Sequence, residues 1–117
     1  FGMRREERLR KKRDFEAVYQ KGKSRSNSLL ALRILPNQLG ENRYGFAVGK
    51  RLGGAVVRNR VKRWLREGAR HTPIKDGWDI VIIARQNAAR SNYHRLKRAL
   101  GELLSQAQLL RNGRDEC

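Results

Sequence analysis

Histidines, cysteines and clustered acidic residues are scarce in this sequence, and that scarcity limits its chemistry. His71 and His94 have no second histidine or cysteine at metal-ligand spacing. Asp76 and Asp79 are the only acidic pair near the middle of the chain, although a two-metal nuclease needs several converging carboxylates. No Gly-x-Ser-x-Gly or Cys-His arrangement is present, and the single cysteine, Cys117, cannot form an internal disulfide. The sequence therefore predicts a binding protein with no catalytic residue.

Long hydrophobic runs are also missing. The longest, Leu29 to Leu32 and Ile80 to Ala84, are far shorter than the about 20 residues that cross a bilayer. No signal peptide is recognisable near Phe1. The loop from Gly49 to Gly54 is rich in glycine, but it lacks the Gly-Lys-Ser or Gly-Lys-Thr ending of a nucleotide-binding P-loop. We therefore expect a cytoplasmic protein with no membrane contact and no small-molecule substrate.

Positive charge is the feature that the sequence has in excess. Lys and Arg number 28 against 11 Asp and Glu, which gives a net charge of +17 in 117 residues. This length fits one domain with a modest core. A charge of this size and sign makes nucleic acid the expected partner.

The densest positive charge lies on a predicted amphipathic helix. At 100° per residue, its apolar side carries Val57, Val61, Trp64, Leu65 and Gly68, and its other side carries Arg58, Asn59, Lys62, Arg63, Arg66 and Arg70. Glu67 is the only acidic residue between Gly49 and Arg70, although a solvated helix normally mixes charges of both signs. Because arginine pairs with phosphate oxygens through two parallel hydrogen bonds, this face is predicted to bind RNA rather than only to be solvated.

The remaining pattern predicts a mixed α+β fold. Alternating side chains indicate a strand from Ser28 to Leu35 and a second from Tyr44 to Gly49, which we expect to form a hairpin. A continuous aliphatic run, Trp78 to Ala84, predicts a strand at the centre of the sheet. Asp14 is the expected N-cap of a first helix. Ser91 or Asn92 is the expected cap of a last helix, whose apolar stripe comprises Leu96, Leu100, Leu103, Leu104 and Ala107.

The domain is expected to span residues 13–110. Residues 1–12 are expected to form a flexible basic arm, because they show no periodicity until Leu9, and residues 111–117 are expected to fray. Within the first helix, Phe15 and Tyr19 are four residues apart, so their rings are adjacent. They suit either the stacking of unpaired bases or packing in the core, and the sequence gives the two readings about equal weight.

At the start of the basic helix, the order of residues resembles the signature of the bacterial ribonuclease P protein component. The resemblance runs from Arg10 to about Leu104 and includes Asp14-Phe15 and the strand from Asp79 to Arg85. The residues that carry it are Val48-Gly49-Lys50-Arg51, Gly53, Ala55-Val56, Arg58-Asn59-Arg60, Lys62-Arg63 and Arg66-Glu67. It implies a single-domain two-layer sandwich in the order α-β-β-β-α-β-α, with a four-stranded sheet. It also implies a left-handed β-α-β crossover, an exception to the usual right-handed rule.

The resemblance further implies a protein subunit of ribonuclease P, which binds the catalytic RNA in a 1:1 complex and contacts the 5′ leader of precursor tRNA. In such an enzyme RNA performs the hydrolysis with RNA-bound Mg²⁺, and the protein tightly binds no cofactor. The implied contacts with the catalytic RNA are Lys50, Arg51, Arg58, Asn59, Arg60, Lys62, Arg63 and Arg66. The implied leader contacts are Lys12, Phe15, Tyr19 and Leu32, although Leu32 stands where relatives often have an aromatic residue. On the helical wheel, Arg60 points away from the other cations, which predicts a different role for it.

Two other functions remain open from the residues alone. A ribosomal protein or RNA chaperone shares the charge and the α+β class, but it has no preference for a precursor tRNA that carries a leader. A self-sufficient nuclease cleaves RNA alone, and it needs the converging carboxylates that are missing here.

Overall fold

A computed structural model of the protein describes residues 8–110. The elements follow the order α-β-β-β-α-β-α, as the resemblance implied: α1 (Lys12–Lys21), β1 (Lys23–Ser26), β2 (Leu30–Pro36), β3 (Arg43–Ala47), α2 (Ala55–Arg70), β4 (Trp78–Ala84) and α3 (Tyr93–Gln106). Short 3₁₀ helices at Lys50–Leu52 and Gln86–Arg90 precede α2 and α3. Within residues 8–110, no helix is both long and apolar enough to span a bilayer.

The four strands form one sheet in the order β1-β2-β4-β3. β4 is antiparallel to β2 and parallel to β3, so the strand predicted to be central does lie inside the sheet. The predicted hairpin between β2 and β3 is wrong, because β4 lies between them. A strand with apolar side chains on both faces is buried best between two neighbours, and the α2 crossover allows β4 to pair in parallel with β3. The hairpin partner of β2 is instead the short edge strand β1.

The main core lies between the sheet and two helices. Leu30, Leu32 and Ile34 of β2 and Ile80 and Ile82 of β4 pack against α2 and α3. The helices contribute the apolar sides predicted from their periodicity, with Val61, Leu65, Leu96, Leu100, Leu103 and Leu104 all buried. Asn92 caps α3, as predicted, by accepting a hydrogen bond from the Arg95 backbone N–H at 2.9 Å. This packing fixes α2 on the sheet and leaves its basic side outward.

The opposite face of the sheet is partly covered by α1. Val18 of α1, Val81 of β4 and Leu9 form a second, smaller core. Gly22 ends α1, and a Cβ at this position would lie 2.4 Å from the Val18 carbonyl oxygen and 2.7 Å from that of Ile34. Only glycine therefore permits this close approach of the end of the helix to β2.

The prediction that residues 1–12 form a flexible arm is wrong for its described part. Leu9 is only 5% exposed, and its backbone N–H donates to the Tyr44 carbonyl oxygen at 2.8 Å. Arg8 pairs with Tyr44 in a parallel bridge. Leu9 is the apolar residue in a basic stretch, and burying it fixes the chain along the outer edge of β3. Residues 1–7 and the predicted frayed segment 111–117 lie outside the described residues.

Asp14 does not cap α1, contrary to the prediction. The helix begins at Lys12, and the N-cap residue, Lys11, makes no side-chain cap hydrogen bond. Asp14 lies in the first turn, where a negative charge stabilises the helix dipole, and its carboxylate is 3.4 Å from Nη1 of Arg43. The residue therefore links α1 to the sheet.

Candidate nucleic-acid interface

The basic surface begins in the turn before α2. Leu52 of the 3₁₀ helix is buried, whereas Lys50 and Arg51 beside it are exposed. Gly53 then adopts φ 140°, a conformation that other residues rarely adopt. This turn anchors the loop by one apolar side chain and directs its two cations to solvent.

On α2, a stripe of polar residues continues this surface. We call Arg58, Asn59, Lys62, Arg63 and Arg66 the α2 basic stripe. Asn59 and Arg63 are exposed, and the other three are half-buried. None of the four cations has an ion-pair partner among residues 8–110, since Glu67 lies nearest to Arg70 and His71, each at 3.9 Å. The first turn of α2 has no acidic residue either, so the positive end of the helix dipole adds to the uncompensated charge.

Arg60 lies apart from the α2 basic stripe, as its position on the wheel predicted. Its guanidinium carbon is 5.2 Å from the centre of the Trp64 ring, and its Nη2 donates to the Ala89 carbonyl oxygen at 3.5 Å. Arg60 therefore packs α2 against the 3₁₀ helix at Gln86–Arg90, and a cation–π contact of this kind contributes about 0.5–2 kcal/mol.

A second surface lies between α1 and the sheet. We call it the α1 cleft, and it is lined by Phe15, Tyr19 and Arg33. Phe15 is half-buried, and a Cβ on Gly45 would lie 2.5 Å from its Cε1. Tyr19 is 40% exposed, and the Arg33 guanidinium carbon lies 5.5 Å from its ring centre. Phe15 therefore packs on the sheet, whereas Tyr19 presents a ring to solvent, and the stacking of a base on that ring stays a prediction.

Lys12 and Leu32 were also predicted to contact the leader, but only one of these two side chains is exposed. Lys12 is exposed at the start of α1. Leu32 is only 1% exposed and belongs to the core with α2 and α3, so its assignment to a leader contact is wrong. Side chains alternate between the two faces of a strand, which places Arg33 in the cleft instead. Because Leu30, Leu32 and Ile34 alternate with Arg33 in the sequence, this pattern could have identified Arg33 as a residue of the α1 cleft.

Asp79, one of the acidic pair near the middle of the chain, is engaged by other side chains. Arg43 donates to both of its oxygens, with Nε 2.8 Å from Oδ1 and Nη2 2.7 Å from Oδ2. Asn37 Nδ2 also donates to Oδ1 at 2.9 Å. The hydrogen bond with Asp79 raises the pKa of Arg43, with smaller contributions from the charges of Asp79 and Asp14. Residues 8–110 contain no cluster of three or more His, Cys, Asp or Glu side chains that could hold a metal ion.

The chain is similar to known proteins over most of its length. The Ribonuclease P family model matches residues 3–108. The ribonuclease P protein component of Dehalococcoides mccartyi is 44% identical over 108 residues, which are 92% of this chain and 90% of that protein. The one from Alkaliphilus metalliredigens is 45% identical over 105 residues, covering 88% and 95% of the two chains.

Solved structures show the same likeness. The RNase P protein of Staphylococcus aureus superposes with a TM-score of 0.80 at 32% identity, covering 90% of this chain and 98% of that one. The protein from Thermotoga maritima gives a TM-score of 0.78 at 34% identity, covering 86% and 96%.

Proposed function

The chain belongs to the ribonuclease P protein family, and from this premise we propose that its two surfaces hold two different RNAs. As the protein subunit of ribonuclease P, it takes part in forming the mature 5′ end of tRNA. The α2 basic stripe, with Lys50 and Arg51, binds the catalytic RNA, and Arg60 supports this surface by packing α2 against the 3₁₀ helix at Gln86–Arg90. The α1 cleft, with Lys12 at its entrance, binds the 5′ leader of precursor tRNA.

The observation that carries this proposal is the chemical difference between the two surfaces. The α2 basic stripe has four cations without an acidic partner in residues 8–110, held on a rigid helix whose apolar side is in the core. Such a face suits the closely spaced phosphates of a folded RNA. The α1 cleft instead offers an exposed ring beside a guanidinium. Unpaired bases stack on such groups for about 1–3 kcal/mol each, which suits a single-stranded leader.

Hydrolysis is assigned to the RNA subunit. No three His, Cys, Asp or Glu side chains of residues 8–110 lie together so that they could hold a metal ion, and the buried Asp79 is satisfied by Arg43 and Asn37. We propose that RNA holds Mg²⁺, an ion that is usually bound by phosphate and water oxygens together with one or two carboxylates. The protein neutralises phosphates of both RNAs, which reduces their repulsion and lowers the Mg²⁺ concentration that the reaction needs.

This role defines the partners. We expect one protein to bind one ribonuclease P RNA, and the complex to bind precursor tRNA in the cytoplasm. Neither a membrane nor a small-molecule substrate is required. Each phosphate contact should steepen the dependence of RNA affinity on salt by about 0.7–0.9 in log–log slope.

Leader release from a precursor tRNA at low Mg²⁺ tests the function. The protein alone, a bacterial ribonuclease P RNA alone and their mixture are compared across a Mg²⁺ titration. We expect release only in the mixture at low Mg²⁺, and equal release by RNA alone once Mg²⁺ is high. If the Mg²⁺ dependence is the same with and without protein, the chain is a general RNA-binding protein. If the protein cleaves alone, it has its own active site.

A further inference from the structure

A third basic surface lies at the outer edge of β3, next to the α1 cleft, with which it shares Phe15. The new surface is a cleft with a volume of about 340 Å³, and it lies between the segment before α1 and one side of α2. Its volume falls within the about 300–1,000 Å³ typical of small-ligand sites. We call it the β3-edge cleft, and its main lining residues are Arg8, Arg10, Tyr44, Phe46, Lys62 and Arg66.

Positive charge reaches this cleft from two elements. Leu9 is buried on the α1 side of the sheet. Because side chains alternate along an extended chain, Arg8 and Arg10 lie on the other side, where both line the cleft. Lys62 and Arg66 lie one helical turn apart and approach from α2. None of these four cations forms an ion pair within residues 8–110, so the site attracts an anion from both walls.

Aromatic rings form the floor between the cations. Tyr44 and Phe46 lie two residues apart on the same face of β3, with ring centres 6.4 Å apart and planes inclined by only 13°. The two rings are half-buried and pack against the main core, and the Tyr44 hydroxyl lies 3.4 Å from Asn42 Nδ2. The rings are therefore held in place, and both of them line the cleft.

We propose that the β3-edge cleft binds one unstacked nucleotide of an RNA strand, with its base on Tyr44 and Phe46 and its flanking phosphates between the two pairs of cations. This proposal rests on the proposed function and names a further contact within it. Cations on opposite walls fit the phosphates on either side of one nucleotide, and parallel rings fit a base of any identity. The cleft is open, as is required for a nucleotide that continues into a strand on both sides.

Either RNA can supply this nucleotide, because the chemistry is the same for both. Lys62 and Arg66 also belong to the α2 basic stripe, so a looped-out nucleotide of the catalytic RNA can enter from that side. Phe15 lines both this cleft and the α1 cleft, so a leader nucleotide can enter from the other. The two sources are separated by measuring binding to each RNA in turn.

Three variants test the site. Phe46→Leu keeps an apolar side chain but removes a stacking surface. Arg8→Gln/Arg10→Gln removes two cations of the cleft that lie outside the α2 basic stripe. Lys23→Gln/Arg25→Gln is the matched control, because it removes the same charge from exposed positions on β1, at the opposite edge of the sheet. Circular dichroism and thermal unfolding establish that each variant is folded.

Affinity for ribonuclease P RNA is measured first, over a series of salt concentrations. If the catalytic RNA fills the cleft, Phe46→Leu weakens binding roughly 5- to 150-fold, the equivalent of about 1–3 kcal/mol of stacking. Its salt slope stays unchanged because no cation is lost. The Arg8→Gln/Arg10→Gln variant reduces the slope by about 0.7 for each lost phosphate contact. The β1 control keeps the wild-type affinity and slope.

Binding of precursor and mature tRNA to the assembled holoenzyme is measured second. If the leader fills the cleft, affinity for ribonuclease P RNA is unchanged in the two cleft variants, and the preference for precursor over mature tRNA falls by the same factor. The proposal is overturned if neither RNA is bound more weakly by these variants, or if the β1 control weakens binding as much as Arg8→Gln/Arg10→Gln does. If Phe46→Leu does not fold, the comparison of the two charge variants decides the question.

The wild-type protein is assayed for leader release in the same series. If it fails to lower the Mg²⁺ requirement, the proposed function fails. If the wild-type protein lowers the Mg²⁺ requirement and the cleft variants bind both RNAs as tightly as the wild type does, only the β3-edge assignment fails.

Discussion

Arg43 and Asp79 form a two-pronged ion pair between the parallel strands β3 and β4, with donor–acceptor distances of 2.8 and 2.7 Å. Asp79 is only 4% exposed, and Arg43 also lies 3.4 Å from Asp14 in α1. The pair therefore joins the inner strand, the edge strand and the helix that forms one wall of the α1 cleft. A buried carboxylate held in this way is a structural group, and its loss should affect folding before it affects RNA binding.

Arg43→Met is expected to lower the free energy of unfolding by about 2–4 kcal/mol, because it leaves Asp79 buried without its cation. Urea unfolding followed by circular dichroism measures this change. The control is Asp14→Asn, which removes the longer and more exposed contact and should cost less than about 1 kcal/mol. Equal losses in the two variants would show that the Arg43–Asp79 pair is not the dominant link.

Gly45→Ala tests the close packing of Phe15 on β3. The added Cβ would lie 2.5 Å from Phe15 Cε1, so the ring must move, at a cost of about 1–3 kcal/mol in stability. Gly49→Ala is the matched control, because no heavy atom lies within 4 Å of its added Cβ. The double variant Phe15→Leu/Gly45→Ala should be more stable than the sum of the two single losses predicts. Strict additivity in urea unfolding would contradict a direct clash.

Arg60 and Arg63 are predicted to differ, although both lie in the same turn and a half of α2. Arg60→Gln loses the contact with Trp64 and should lower the unfolding temperature by several degrees. Arg63→Gln should leave the unfolding temperature unchanged and reduce the salt slope of RNA binding by about 0.7–0.9. The opposite result, with Arg60→Gln reducing the slope at constant stability, would make Arg60 a direct phosphate contact.

Local periodicity was enough to predict α2, α3 and β4, because each buries a regular set of apolar side chains. The position of β4 between β2 and β3 could not be predicted in this way, since strand pairing depends on contacts between residues far apart in the chain. β1 could not be predicted from the sequence pattern either, because all four of its residues are exposed and do not alternate between apolar and polar.

For the candidate site, the sequence predicted the charged residues of the surface better than it predicted the tertiary contacts around them. The α2 basic stripe follows directly from helical spacing. The close approach of Gly45 to Phe15 depends on tertiary packing, which a glycine in a strand does not specify. The error at Leu32 was avoidable, since its alternation with Arg33 already separated the two faces of β2.

Binding of the leader in the α1 cleft gives the most direct functional prediction. Tyr19 presents an exposed ring, and Arg33 lies over it and also donates to the Tyr19 carbonyl oxygen. Tyr19→Leu removes the stacking surface, and Arg33→Met removes the cation that accompanies it. In the assembled holoenzyme at low Mg²⁺, each change should reduce the preference for precursor over mature tRNA by roughly 5- to 150-fold.

Leu32→Met provides the control for that measurement. Leu32 lies on the same strand but is buried on the other face of the sheet, and exchanging it for a side chain of similar volume should cost less than about 1.5 kcal/mol. Its preference for precursor tRNA should equal that of the wild type. Affinity for mature tRNA should be unchanged in all three variants, because mature tRNA has no leader to enter the cleft. A loss of mature tRNA affinity in Tyr19→Leu would place this ring on the tRNA body instead, and an unchanged precursor preference in both Tyr19→Leu and Arg33→Met would place the leader outside the α1 cleft.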